Sequence, residues 1–141
     1  MRRAALVIAW FFLAAGSGVA QARQPVVVEL FTSQGCSSCV AADAMVGDIA
    51  DRPGVLALTL AVDYWDYLGW SDTFARSEFT ARQRAYMQPL SVREVYTPQI
   101  VVDGASQAAG ADRKKIDLLI QQAAAPRARR RSWVSAVTAR S

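Results

Sequence analysis

The 141-residue chain has no histidine and only two cysteines, Cys36 and Cys39. Structural zinc usually takes four ligands from cysteine and histidine, so a zinc site built by this chain alone is disfavoured. Two thiolates suit a soft Cu(I) ion, but the missing histidine and the single methionine near the pair, Met45, argue against copper handling. Long apolar runs are also lacking. The longest, from Ala4 to Ala15, falls short of the roughly 20 residues that span a bilayer. A basic face is missing too, despite a formal charge of +4. Of sixteen basic residues, seven (Arg2, Arg3, Arg127, Arg129, Arg130, Arg131 and Arg140) lie near the termini, leaving nine against twelve acids in between. Nothing there matches the footprint of a nucleic-acid binder.

What is present begins with targeting. Arg2-Arg3, the apolar stretch and the small-x-small site Ala20-Gln21-Ala22 read as a secretory signal over residues 1–22. The alternative is an uncleaved N-terminal anchor. A cleaved signal implies a periplasmic or secreted protein with no stable membrane anchor. Export also places both cysteines in an oxidising compartment.

The two cysteines lie in Phe31-Thr32-Ser33-Gln34-Gly35-Cys36-Ser37-Ser38-Cys39, after a Val-rich run and before a helical pattern. A C-x-x-C where a strand hands over to a helix is a redox arrangement. Unpaired N–H groups at a helix N-terminus favour a thiolate at Cys36, and Cys39, about a turn on, is placed to resolve a mixed disulfide. An inert structural disulfide is the plainer reading. Ser37 and Ser38 add neither charge nor aromaticity, so the direction of exchange is not legible. Glu29, inside the Val-rich strand, is either a proton relay for the resolving thiol or a residue at a solvated strand edge, since buried acids are rare.

Taken in order, Gln24 to Phe31 reads as a strand buried on both faces, followed by a helix from Ser37 or Ser38 to about Ala50 with Ala41, Ala42, Ala44, Met45 and Ile49 facing a core. Val55 to Val62 reads as a second buried strand. The loop Asp63-Tyr64-Trp65-Asp66-Tyr67-Leu68-Gly69-Trp70 then falls at a strand's carboxyl end, where sites in open α/β sheets gather. Its aromatics, Tyr64, Trp65 and Trp70 among them, either line a substrate groove or pack over the helix below. Ser71-Asp72 and Ser77 read as helix caps, with Phe79, Gln83, Tyr86 and Met87 inward and Arg82 and Arg84 outward. Pro98 stands at the permitted start of a strand. Asp103-Gly104 is a hairpin signal, and Ile116, Leu119, Ile120 and Ala123 form the stripe of a last helix. The order is β-α-β-α-β-β-α.

That order, with C-x-x-C after the first strand and proline before the third, resembles the thioredoxin fold: a three-layer α/β sandwich with a mixed sheet. The resemblance implies that residues 24–125 form the domain, that Cys36 and Cys39 are the redox pair and that Thr97-Pro98 is a cis bond facing them. A closer resemblance is carried by Val28 to Cys39, Val62 to Trp70, Ala81 to Tyr86 and Val95 to Gly104. These blocks are similar to the DUF1223 family of exported thioredoxin-like proteins, whose substrate is unknown. The chain departs from that family in Val40, where proline is usual, in Ala61, where histidine is frequent, and in its ending. Residues 126–141, starting Pro126-Arg127-Ala128-Arg129-Arg130-Arg131, lack periodicity and read as a disordered basic tail, with a truncated gene or an anionic membrane surface as alternative explanations.

The sequence thus points to an exported thiol–disulfide oxidoreductase, with Cys36 as nucleophile, Cys39 resolving, Pro98 shaping the groove, Thr97 pairing with an extended substrate and Glu29 relaying a proton. Its partners would be protein thiols or disulfides, or an exported redox protein. No cofactor is expected, because the sulfur pair carries the electrons. The alternatives are a binding module with a structural disulfide, and a Cu(I) carrier.

Overall fold

The computed structural model describes residues 24–125; the expected signal segment 1–22 and the basic tail 126–141 lie outside the described residues. The elements run β1 (Val26–Thr32), α1 (Cys39–Ala50), β2 (Val55–Ala61), a 3-10 turn (Asp66–Leu68), α2 (Ser77–Ala85), β3 (Gln99–Val102), β4 (Ser106–Ala109) and α3 (Arg113–Ala124). This is the order read from the sequence. The sheet order is β2-β1-β3-β4, with β1·β2 parallel and β1·β3 and β3·β4 antiparallel. The sheet is therefore mixed, and β1 is central in it.

Alternation along the strands sorts two cores. Val28 and Leu30 pair with Val102 and Ile100 and face one side. There they meet Ala42, Met45, Val46 and Ile49 of α1 and Ile116 and Ile120 of α3. Phe31, Val62 and Val101 face the other side, against Leu60, Tyr64, Trp65, Tyr86 and Leu90. Each such fully buried aliphatic or aromatic side chain contributes about 1.5–3 kcal/mol. Gly54 (φ 76°) turns α1 into β2, and Asp103 and Gly104 (φ 50° and 64°) turn the β3–β4 hairpin, the φ > 0 pair that a two-residue hairpin requires.

Three local expectations are corrected. β2 is a half-exposed edge strand, with Leu56 and Leu58 at the surface, because β1 borders it on one side only. Ser71-Asp72 caps no regular helix; the helical turn in this stretch is Asp66–Leu68. Ser77 is the first residue of α2 rather than its cap, which is Arg76.

One junction ties the layers together. A methyl group on Gly110, just after β4, would lie 2.6 Å from Pro98 Cβ, 2.8 Å from Pro98 Cγ and 2.9 Å from Ala42 Cβ. Its N–H donates to Pro98 O at 2.8 Å. A rigid ring, a helix methyl and a hairpin end thus meet where only hydrogen fits. Gly110→Ala is expected to destabilise the domain by about 1–3 kcal/mol through overpacking. Gly47→Ala, inside α1 with open space around it, should be neutral or stabilising by up to about 1 kcal/mol. Urea unfolding of both variants checks the contrast.

Candidate active site around the cysteine pair

β1 ends at Thr32, and the chain turns tightly: Cys36 N donates to Ser33 O at 3.1 Å, and Cys39 N to Cys36 O at 3.0 Å. Cys39 is the first residue of α1 and Ser38 its N-cap. The sulfurs are joined as a disulfide, with Cα atoms 5.4 Å apart. Both residues are buried, Cys36 2% and Cys39 0% exposed.

Three of the residues expected at the site converge on this turn. The Thr97–Pro98 peptide is cis, and Pro98 is buried beside Ala42, three residues after Cys39 on α1. Trp65 spans the gap between the two motifs. A methyl group on Gly35, the neighbour of Cys36, would lie 3.1 Å from Trp65 Cβ. The Trp65 indole Nε1–H donates to Thr97 Oγ1 at 2.9 Å. The tryptophan therefore touches the cysteine turn on one side and the residue before Pro98 on the other.

The remaining expected residues are placed differently. Tyr64 is half-buried and donates through its hydroxyl to Gln83 Oε1 at 3.1 Å. Burial raises its pKa, with the bond to Gln83 opposing. Trp70 is 54% exposed, and Val40, Tyr67, Leu68 and Phe74 are exposed as well. Glu29 is not at a solvated edge; it is 1% exposed. It points to the α2 side of the sheet, whereas α1 packs on the other side with Val28 and Leu30. Arg82 Nε donates to Glu29 Oε1 and the Tyr86 hydroxyl to Glu29 Oε2, both at 2.5 Å. With both oxygens so engaged, Glu29 is a buried, paired acid, and the structure does not bring it to the cysteines as a relay.

Asp72, Gln83 and Ser38 were not assigned to the site on sequence grounds. Asp72, buried, accepts from Gln34 N at 2.7 Å and Phe74 N at 2.9 Å, pinning the loop before α2 to the cysteine turn. Gln83, also buried, donates to Tyr96 O at 2.7 Å and Gln99 Oε1 at 2.9 Å, holding the approach to Pro98 and its first strand residue. Ser38 Oγ lies 3.4 Å from Cys36 Sγ. Asp72 carried a sequence signal, but it read as a helix cap; Gln83 showed only an inward helix position. Beside the turn, on the β2 side, lies a cleft of about 520 Å³ lined by Ser33, Gln34, Asp43, Phe74, Arg76 and Phe79 among others. Thr32 also lines it and keeps its buried hydroxyl without a hydrogen-bond partner among the described residues. Among those residues no cluster of three or more metal-ligating side chains occurs, and no helix is long and apolar enough to cross a membrane.

Residues 27–141 match the family model described as "Protein of unknown function (DUF1223)". The chain belongs to the DUF1223 family. It is also similar to a structural-genomics crystal structure of a protein from Agrobacterium tumefaciens, with 47% identity and a TM-score of 0.62. That match covers 67% of this chain and 43% of the other, so the chain spans less than half of that relative's length. No curated protein matches. DUF1223 membership agrees with the resemblance carried by the four sequence blocks, and the disulfide occupies the first of them.

The Glu29 cluster has a measurable signature. Burial, then the bond to Glu29, pushes the Tyr86 hydroxyl up to about 12 from its ordinary 10.0. A raised folded pKa means that the proton is held more tightly in the native state. The stability from this group is therefore complete below pH 10 and lost as pH rises through about 12. Phenolate absorbance, compared between the wild type and Tyr86→Phe, should show one tyrosine ionising above the rest. A Tyr86 that ionises near the ordinary 10.0 overturns this assignment.

Proposed function

We propose that this DUF1223 protein is an exported, thioredoxin-like thiol–disulfide exchange protein acting on protein thiols or disulfides. The observation that carries the reading is the meeting of three separate segments at one turn: the cysteine pair opening α1, Pro98 packed near Ala42, and Trp65 bridging Gly35 and Thr97. Export is supported by Arg2-Arg3, the apolar run after them and Ala20-Gln21-Ala22.

In the oxidising direction a substrate thiolate attacks Cys36 Sγ, the Cys36–Cys39 bond breaks, and Cys39 leaves as thiolate. A second substrate thiolate then attacks the substrate sulfur of the mixed disulfide. The substrate disulfide forms, Cys36 leaves as thiolate, and two electrons have passed from substrate to protein. The reverse sequence reduces a substrate disulfide. Pro98 and Thr97 supply one wall of the approach and Trp65 another, while Trp70, Tyr67 and Phe74 offer apolar surface to a polypeptide.

One observation favours a second reading, a binding module with a structural disulfide: neither cysteine exposes more than 2% of its surface. Exchange then requires the cover over Cys36 to open when a partner docks. The two readings separate in a direct measurement. The reduced protein is mixed with a synthetic peptide whose single cysteine is blocked as an aromatic mixed disulfide, and release of the aromatic thiol is followed. Cys36→Ser should fall roughly 100-fold or more, to the buffer rate. Cys39→Ser should react once and keep the peptide attached, because nothing resolves the intermediate. Equal rates for the wild type and Cys36→Ser would leave only the binding-module reading.

A further inference from the structure

Serine is among the best N-cap residues because its hydroxyl accepts a bond from the first turn of the helix. Ser38 occupies the N-cap of α1 and makes no such bond. Its Oγ instead lies 3.4 Å from Cys36 Sγ. A disulfide sulfur carries no hydrogen, so the hydroxyl is the donor in this contact. Ser37 and Ser38 are both exposed; Ser38 is the one whose hydroxyl contacts the sulfur.

We propose that Ser38 is a dedicated hydrogen-bond donor to the Cys36 thiolate, set there to raise the oxidising power of the cysteine pair. The proposal rests on the thiol-exchange reading and names what tunes that site. Two electrons and one proton convert the disulfide to a Cys36 thiolate and a Cys39 thiol, a dithiol buffer serving as reductant and being oxidised to its own disulfide. A disulfide sulfur is a weak acceptor and a thiolate a strong one, since bonds to ionised groups are stronger than neutral ones. The hydroxyl at 3.4 Å therefore favours the reduced form over the oxidised one. It lowers the Cys36 pKa and makes reduction easier. No acidic side chain lies in the first turn of α1 to oppose this effect. The charged groups around the adjoining cleft, Asp43, Asp72 and Arg76, are the same in every variant compared, so differences report the hydroxyl.

The test uses the full chain and four forms: wild type, Ser38→Ala, Ser38→Thr and Ser37→Ala. Cys36 ionisation is read from the pH dependence of alkylation, the potential from equilibration with a dithiol redox buffer, and folding from the melting temperature of the oxidised form. Ser38→Ala is expected to lower the thiolate-to-thiol ratio at a fixed pH about tenfold, and the equilibrium toward the reduced form by the same factor, about 30 mV more reducing. Ser38→Thr, which keeps a hydroxyl, should recover most of the shift. Ser37→Ala should match the wild type, and all oxidised forms should melt together. If Ser38→Ala leaves ionisation and potential unchanged while the wild type equilibrates, the proposal is overturned and the exchange reading stands. If only the melting temperature falls, the serine is a structural cap and the proposal is likewise overturned. A wild type whose disulfide never opens in the dithiol buffer overturns both.

Discussion

The site depends on a contact in which there is no room for a side chain. Gly110 lets the end of the β3–β4 hairpin approach the Pro98 ring and the Ala42 methyl so closely that an added Cβ would lie under 3 Å from both. The hydrogen bond from Gly110 N to Pro98 O locks that approach. Because Ala42 is one turn beyond Cys39, whatever fixes Pro98 against Ala42 also fixes it relative to the cysteine pair. Close-packed interiors transmit such displacements rather than absorbing them. Glycine, proline and alanine, small or rigid residues, therefore set the packing beside α1, and the two sulfurs sit where that packing puts them.

The rest of the constellation is held by polar groups whose alternatives are costly. A buried hydrogen-bonding group left without a partner loses about 1–3 kcal/mol, so Asp72, Gln83 and Glu29 each specify geometry. Asp72 fastens the loop before α2 to Gln34, and Gln83 ties α2 to Tyr96 and Gln99. The bond from Trp65 to Thr97 closes the ring of contacts around the turn. Glu29 belongs to a different part of the design. Its ion pair with Arg82 raises the Arg82 pKa further, chiefly through the hydrogen bond itself, and its carboxylate anchors α2 across the sheet from the helix that carries the cysteines. The same acid that reads as a relay in the sequence is, in three dimensions, a fastener.

How much was legible depended on the range of the interaction. Element order, the hairpin at Asp103-Gly104 and the start of α1 at the Ser38–Cys39 step follow from local chemistry: β-branched runs, φ-permissive residues, capping and apolar periodicity. Those readings agree with the structure to within a few residues. Errors arose where one strand's neighbour or one side chain's distant partner mattered. Val55 to Ala61 is as apolar as β1, yet it lies at an edge. Arg82 faces solvent as its helical position predicts, but no local signal announced its ion pair with a carboxylate 53 residues away.

By itself the sequence determined that two cysteines three positions apart open a helix after a buried strand, and that a proline precedes the third strand. Both are consequences of neighbouring residues and the limits they place on backbone torsions. Only the tertiary structure decided which residues surround the sulfurs. It brought Trp65 between Gly35 and Thr97, turned Ser38 from cap to sulfur contact, and sent Glu29 to the opposite face of the sheet. Strand alternation gives each side chain a face, but which helix covers that face is fixed by the crossover connections, and those are a property of the whole chain.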